Sequence, residues 1–340
     1  AGHHLLQASE RLNQRILDKA FAQLISSNPA EGDNTDDQAR ARQNPLAQVF
    51  EACVSRLSLP SQKLLTALGV FAQKPASVGE VTLISVTGAS TDEIDELVEA
   101  SFLEPAPDSR YTIHQSFYEF ACDRLKNERA QNELYDKFVK WAAAYTEENR
   151  LDYIALEKEF PLIQRAINIA RSQGWREEFG DITLNCSPYL RSRGRGSMAF
   201  ELLEEAYEAS SHVGDECAHA RIANELCQIA FRQGDDRAAW RWATVVEASG
   251  EEACAGAYLP SALETLCVLA QRKGEIDQAV QYAKRSVALS KHARHGGIFD
   301  RQLAFDSLTP AQVAEIAGLN PARGKIIGYW QKTMIAYVRD

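Results

Sequence analysis

The sequence predicts an all-α chain in which a small helix-and-hairpin module precedes a helical-hairpin solenoid, and three observations carry this reading. Apolar residues recur at helical spacing through most of the 340 residues. Extended segments are confined to Phe102-Leu103 and Tyr111-Thr112-Ile113, on either side of a Pro/Asp/Ser turn. In the C-terminal half, three families of positions share a 40-residue interval: Gly194, Gly234 and Gly274; Ala199, Ala239 and Ala279; Cys186, Leu226 and Leu266.

Taken in order, residues 1–27 place Leu5, Leu12, Ile16, Ala20 and Leu24 on one helical face. Residues 28–44 hold Pro29, Gly32, Asn34 and a run of acids with almost nothing large and apolar, so they read as a flexible linker. Residues 45–126 form the next unit. A helix passes through Phe50 and Leu57, and a turn at Leu59-Pro60-Ser61 offers Ser61 as cap to a second helix through Leu64, Leu68 and Phe71. Two short helices follow, the later one capped by Thr91 and carrying Ile94, Leu97 and Val98, before the hairpin and a closing helix from His114 to Leu125. Three helices and a hairpin wing make a winged-helix-like pattern.

Residues 127–295 are read as helical repeats. Each periodic glycine ends a first helix in a left-handed cap, and each periodic alanine lets a second helix approach the first closely. The stretches Leu226 to Gly234 and Leu266 to Gly274 are near copies of one design. Residues 296–340 depart from the period. Leu308-Thr309-Pro310 starts a helix that leads into either a capping helix pair, which seals the last apolar face of such an array, or a helix-hairpin-helix.

Composition narrows the function classes. The chain is 45% apolar with a formal charge of −10, enough to bury one or two cores and, on average, repellent to phosphate backbones. No run approaches the roughly 18 consecutive apolar residues of a membrane span, and Ala1-Gly2-His3-His4-Leu5-Leu6 lacks the features of a signal peptide, so a cytoplasmic location is expected. Seven cysteines (Cys53, Cys122, Cys186, Cys217, Cys227, Cys254 and Cys267) show no C-x-x-C pair and no zinc spacing, and are expected to be core thiols in a reducing compartment. No metal site is expected.

The repeats resemble tetratricopeptide repeats: leucine, small residue, glycine and two later alanines (Ala239 and Ala243, or Ala279 and Ala283) fall at that family's spacing. The preceding half resembles the helical and winged-helix part of signal-transduction ATPases of the NB-ARC/STAND type, through Ala1-Gly2-His3-His4-Leu5, Leu57-Ser58-Leu59-Pro60 with Leu68-Gly69-Val70-Phe71, Tyr111-Thr112-Ile113-His114-Gln115 with Phe120 and Leu125, and Leu156-Glu157-Lys158-Glu159-Phe160-Pro161. The resemblance implies a C-terminal half of such a protein, with a winged-helix subdomain and a tetratricopeptide-repeat sensor. The histidine of the family's "MHD" stretch touches the β-phosphate of bound ADP and locks the closed state, which assigns a nucleotide contact to His114 in a longer parent; Gln115 stands where the family has aspartate. No G-x-x-x-x-G-K-[ST] loop is present, and Gly318 to Gly324-Lys325-Ile326 is one residue too long and ends in isoleucine. ADP or ATP is therefore expected only in a parent protein and no cofactor in this chain.

Arg191, Arg193 and Arg195, beside Tyr189, are candidates for an anionic ligand or acidic partner, against a solvated helix end whose cations complement the dipole. Trp240, Trp242 and Tyr258 are candidates for lining a concave groove, against ordinary packing. Gly318, Asn320, Arg323 and Lys325 are candidate phosphate or DNA contacts if the C-terminal hairpin forms, the alternative being the cap. Thr91 to Ala100, where a recognition helix would sit, carries Asp92, Glu93, Asp95, Glu96 and Glu99 with no base, which argues against docking in a DNA groove. No nucleophile, base or oxyanion pattern is present, so a non-catalytic regulator is expected, with a protein partner on the repeats and self-oligomerisation of the parent. The alternatives are a DNA-binding regulator with a repeat sensor and a constitutive repeat adaptor.

Overall fold

The computed structural model describes residues 45–126, 130–210, 216–249 and 255–289. The expectations for 1–27, 28–44 and 296–340, and with them Gly318, Asn320, Arg323 and Lys325, lie outside the described residues. Within these, thirteen α-helices and three short strands confirm the all-α class, and two compact units can be told apart. The first takes its residues from Ala1–Tyr145 and Glu157–Ser172, the second from Thr146–Leu156 and Gln173–Asp340. The first unit thus includes residues beyond 126.

The first unit runs α1 (Pro45–Val54), α2 (Leu59–Ala67), a 3-10 turn (Leu68–Val70), β1 (Ser77–Gly79), α3 (Glu80–Thr87), α4 (Thr91–Glu99), β2 (Leu103–Ala106), β3 (Arg110–Ile113), α5 (Gln115–Lys126), α6 (Gln131–Glu148) and α7 (Tyr153–Gln173), whose first turn belongs to the second unit. The antiparallel sheet has the order β1-β3-β2, with Val78 opposite Tyr111 and Glu104 opposite Thr112. The helices and the hairpin expected for residues 45–126 are present, with one strand more. β1 escapes a sequence reading because three residues are too few to show an alternation.

Two helix caps differ from expectation. Ser58, not Ser61, caps α2, its Oγ accepting from the Ser61 N–H at 3.3 Å. Ser90, not Thr91, caps α4, and Glu93 accepts from the Ser90 N–H at 2.8 Å, closing a capping box. In both cases neighbouring Ser/Thr residues compete for the cap, and the one whose backbone lies at the helix entrance takes it. Ser61 instead donates to Glu96 at 2.5 Å, as Ser58 does through Oγ and N–H at 2.7 Å each. These donors hold the Glu96 carboxyl below the usual range, the Ser58 side chain first. An acid of α4 is thereby engaged by a neighbouring helix of its own unit.

The core of this unit gathers Leu65, Leu68, Phe71, Leu83, Leu97 and Leu103, all essentially inaccessible. Gly69 lies against α5 so closely that a Cβ would stand 2.9 Å from the backbone of Ala121 and Cys122. Backbone cannot swing aside as a side chain can. Gly69→Ala is expected to cost about 1–3 kcal/mol by overpacking, read as a lower denaturation midpoint; an unchanged midpoint would show that the contact relaxes freely.

The second unit continues with α8 (Arg176–Ser192), α9 (Gly196–Ser210), α10 (Glu216–Gln233), α11 (Asp236–Ala248), α12 (Ala255–Arg272) and α13 (Ile276–Leu289), three helical hairpins in series. Each first helix ends in the expected left-handed glycine, with φ of 72° at Gly194, 77° at Gly234 and 80° at Gly274. The closure is the same three times: Arg195, Asp235 and Glu275 donate their N–H to the carbonyls of Leu190, Ala230 and Ala270 at 2.8, 3.0 and 2.9 Å. Ala199, Ala239 and Ala279 are fully buried, as are Cys186, Leu226 and Leu266.

Among the described residues, the cysteines depart from expectation: Cys53 and Cys122 are only half-buried, and one cysteine is not a thiol. Cys53, Cys122, Cys186, Cys227 and Cys267 form no disulfide, but Cys217 is disulfide-bonded. A bridge depends on which residues meet in space, and sequence spacing does not encode that. Burial pushes the Cys186 and Cys267 thiols up to about 12, so they are inert packing groups.

Candidate ligand groove in the helical repeats

The first helices of successive hairpins, α8, α10 and α12, pack side by side, whereas the second helices α9, α11 and α13 touch mainly the first helices beside them. The first helices therefore form the inner row of the array. Their shared faces are polar to an extent the apolar repeat pattern conceals. Ser187 donates to Glu225 at 3.0 Å, Arg191 pairs with the same carboxylate at 3.0 Å, and Arg221 donates to Asn185 at 3.3 Å. Gln228 donates to Ser261 at 2.9 Å, extending the seam from α10 to α12. Asn185, Ser187 and Gln228 are buried, so these bonds answer the demand that buried polar groups be paired.

Two cavities open on this row. One, of about 300 Å³, is walled by Arg150, Asn185, Arg191, Arg221, Asn224 and Tyr258 among others. The second, of about 510 Å³, includes Tyr153, Gly194, Ser197 and Arg232. Pro188 and Arg191 belong to both, so Arg191 stands between them. The smaller cavity is lined by three arginines and one acidic residue, Glu225, which pairs with Arg191, while the charge of Asp181 acts on Arg221. On a chain of net charge −10 this is a local reversal of sign. Its size falls in the range of small ligand sites.

Of the expected repeat residues, Arg191 and Tyr258 meet at the smaller cavity. Arg193 and Arg195 do not join them; they flank the Gly194 turn as exposed side chains. Trp242 is corrected from groove to core: it is 2% exposed and packs edge-on against Tyr207 at 4.8 Å, with the Arg241 guanidinium 4.5 Å from its ring centroid. Trp240 is half-buried against the core shared by the last two hairpins, and the Lys273 ammonium lies 3.6 Å from its ring centroid. Both tryptophans sit on α11, a second helix, and so are off the inner row. Arg150, Arg221, Asn185 and Asn224 were missed. For Arg221, Asn185 and Asn224 the signal is a set of polar residues on the otherwise apolar faces of the first helices; Arg150, in the turn between α6 and α7, carries no such signal.

His114 closes β3 and precedes α5, exposed, its Nδ1 3.4 Å from the Ser116 N–H and its ring 6.2 Å from that of Phe117. Near it, sequence reading overlooked a stronger feature. Arg110 of β3 forms a bidentate pair with Glu159 of α7, its Nη1 on Oε1 and its Nη2 3.0 Å from Oε2, while its Nε donates to Ser77 Oγ at 2.7 Å. Both side chains are 7% exposed. Glu159 lies in the Leu156 to Pro161 stretch. Among the described residues, no cluster of His, Cys, Asp and Glu is arranged to hold a metal, and no helix is long and apolar enough to cross a membrane.

No protein-family model matches the chain, and no curated protein matches it. Among solved structures it is similar to the Signal Transduction ATPase with Numerous Domains (STAND) protein with a tetratricopeptide repeat sensor from Pyrococcus horikoshii, at 15% identity and a TM-score of 0.43, over 89% of this chain and 46% of that one. It is also similar to BtubC from P. vanneervenii, at 19% identity and a TM-score of 0.35, over 60% of this chain and 92% of that one. The chain thus spans less than half the length of the STAND structure. Likenesses this distant assign neither family nor function; the chain's own residues must carry both.

Proposed function

We propose that this chain is the non-catalytic, sensing part of a nucleotide-switched signalling protein of the STAND kind, with its repeats as the trigger-binding element. The observation that carries this reading is the polar inner row of first helices, with Arg191 and Tyr258 at a cation-rich cavity: a surface suited to binding. In the parent protein the winged-helix-like module would hold a nucleotide domain closed through His114. A trigger on the repeats would favour an open, self-associating state by binding it more tightly than the closed one. The sequence resemblance around His114 and Glu159 supports this, as does the exposure of His114, which leaves its ring available to a neighbouring domain.

The test is to purify the full-length parent natively and assay it for bound nucleotide. ADP is expected at near-stoichiometric occupancy, with most of it lost on His114→Ala. A parent without nucleotide, or one whose ADP is indifferent to that substitution, would reject the switch in favour of a constitutive repeat adaptor.

A further inference from the structure

Cys217 stands apart from the other described cysteines. It is half-buried in the first turn of α10 and disulfide-bonded, and the other half of its bridge lies outside the described residues. Cys186, Cys227 and Cys267 form no disulfide and are buried, while Cys53 and Cys122 belong to the first unit. Among the described residues of the second unit, Cys217 is therefore the only cysteine that is not fully buried. Burial keeps the Cys186 and Cys267 thiols protonated, so neither is a nucleophile toward the bridge, and a reductant must come from outside the fold.

The place of this sulfur on α10 connects it to the cavity wall. Cys217 begins a stripe that continues through Arg221, Glu225 and Gln228, at steps of three or four residues that keep one helical face. Each later member of the stripe bonds across to a neighbouring first helix. Arg221 donates to Asn185 of α8 at 3.3 Å, Glu225 accepts from Ser187 of α8 at 3.0 Å, and Gln228 donates to Ser261 of α12 at 2.9 Å. Arg221, Asn224 and Glu225 line the smaller cavity. The bridge thus holds the turn immediately before the residues that form this wall. The first turn of a helix is where fraying starts, because its N–H groups have no acceptor within the helix. A covalent tether there removes most of the open conformations that the turn would otherwise visit.

We propose that the Cys217 disulfide is a redox-controlled clip on the sensing cavity, closed when oxidised and, when reduced, releasing the first turn of α10 and with it the Arg221 wall. The reductant is a small thiol of the glutathione class. One thiolate attacks the bridge and expels a cysteine thiolate, leaving a mixed disulfide; a second thiolate attacks that and expels the other cysteine. The products are two cysteine thiols, which take up the protons, and one molecule of the small disulfide. The small disulfide closes the clip again by the same steps in reverse. This is a regulation of the cavity and so rests on the sensing role proposed above.

The test uses the 340-residue chain purified without reductant, compared before and after dithiothreitol. Alkylation with iodoacetamide and peptide mapping come first: the peptide holding Cys217 is expected to escape alkylation until dithiothreitol is added. Hydrogen exchange followed by mass spectrometry then reads the clip. Amides of residues 216–225 are expected to exchange about tenfold or more faster after reduction, with β1 to β3 of the first unit unchanged. Cys217→Ser should show the fast exchange with and without dithiothreitol, and a cooperative thermal melt of this variant separates a loosened turn from a lost fold. Alkylation of Cys217 without reductant, or equal exchange of α10 in both states, would overturn the proposal. So would exchange rising alike throughout the second unit, which would make the bridge a general staple of the fold. The nucleotide assay on the parent is independent: ADP lost on His114→Ala with an α10 indifferent to dithiothreitol refutes only the clip, and a reductant-sensitive α10 in a parent without nucleotide refutes only the switch.

Discussion

Glu159→Ala is expected to lower the stability of the first unit by about 3–5 kcal/mol, because it strands the buried Arg110 guanidinium without its counter-charge. The remaining partners of Arg110, the hydroxyl and carbonyl of Ser77, satisfy part of its fork but carry no charge. Removing both charges together, as Arg110→Met with Glu159→Leu, should cost far less than the single change, since the expense lies in the unpaired ion and not in the loss of the pair. Hydrogen exchange of peptides covering β1 to β3 and α5 localises the effect to this unit. A single-variant loss under about 1 kcal/mol, or a double variant as unstable as the single one, would show that water reaches the pair and screens it. The exposed contact of Lys158 with Asp108 at 2.9 Å should contribute little by comparison.

Trp242→Ala is expected to cost the second unit about 3–5 kcal/mol. The indole is 2% exposed and packs beside Tyr207 between the first two hairpins, so its truncation opens a cavity. Its N–H has no acceptor among the described residues. Trp242→Phe should therefore be milder than its volume change suggests, because it also removes an unpaired buried donor. Denaturant melts of the two variants check this. A loss under about 1 kcal/mol for Trp242→Ala would show that the site collapses around the truncation and that the indole is not a core anchor.

Most of the repeat architecture was legible in the sequence. Gly194, Gly234 and Gly274 are punctuation of a local kind: a left-handed cap is set by a few residues, and only glycine adopts it without strain. The buried alanines and leucines at the same interval follow from helical geometry, which returns a side chain to the same face every three or four residues. The caps were legible only to within a few residues, since Ser58 and Ser61, or Ser90 and Thr91, are chemically equivalent candidates until the chain path selects one.

The candidate site was legible in part. Arg191 and Tyr258 stood out by type, and the structure brings them to one cavity; Arg193, Arg195, Trp240 and Trp242 stood out by the same criteria and are elsewhere. The difference is rotation about a helix axis and position in the inner or outer row. Arg221 and Arg150 drew no notice because each is an ordinary surface arginine until the packing of the second unit brings it beside Arg191.

The helical class, the repeat, the glycine closures and the apolar faces could all be read from the order of residues, because each depends on groups within one or two turns of each other. Three features could not: that β1 completes a sheet, that Arg110 meets Glu159, and that Arg150, Arg191, Arg221 and Glu225 line one cavity. Those pairings join residues far apart in the chain, and they depend on how helices cross and which faces they close, which no local periodicity specifies.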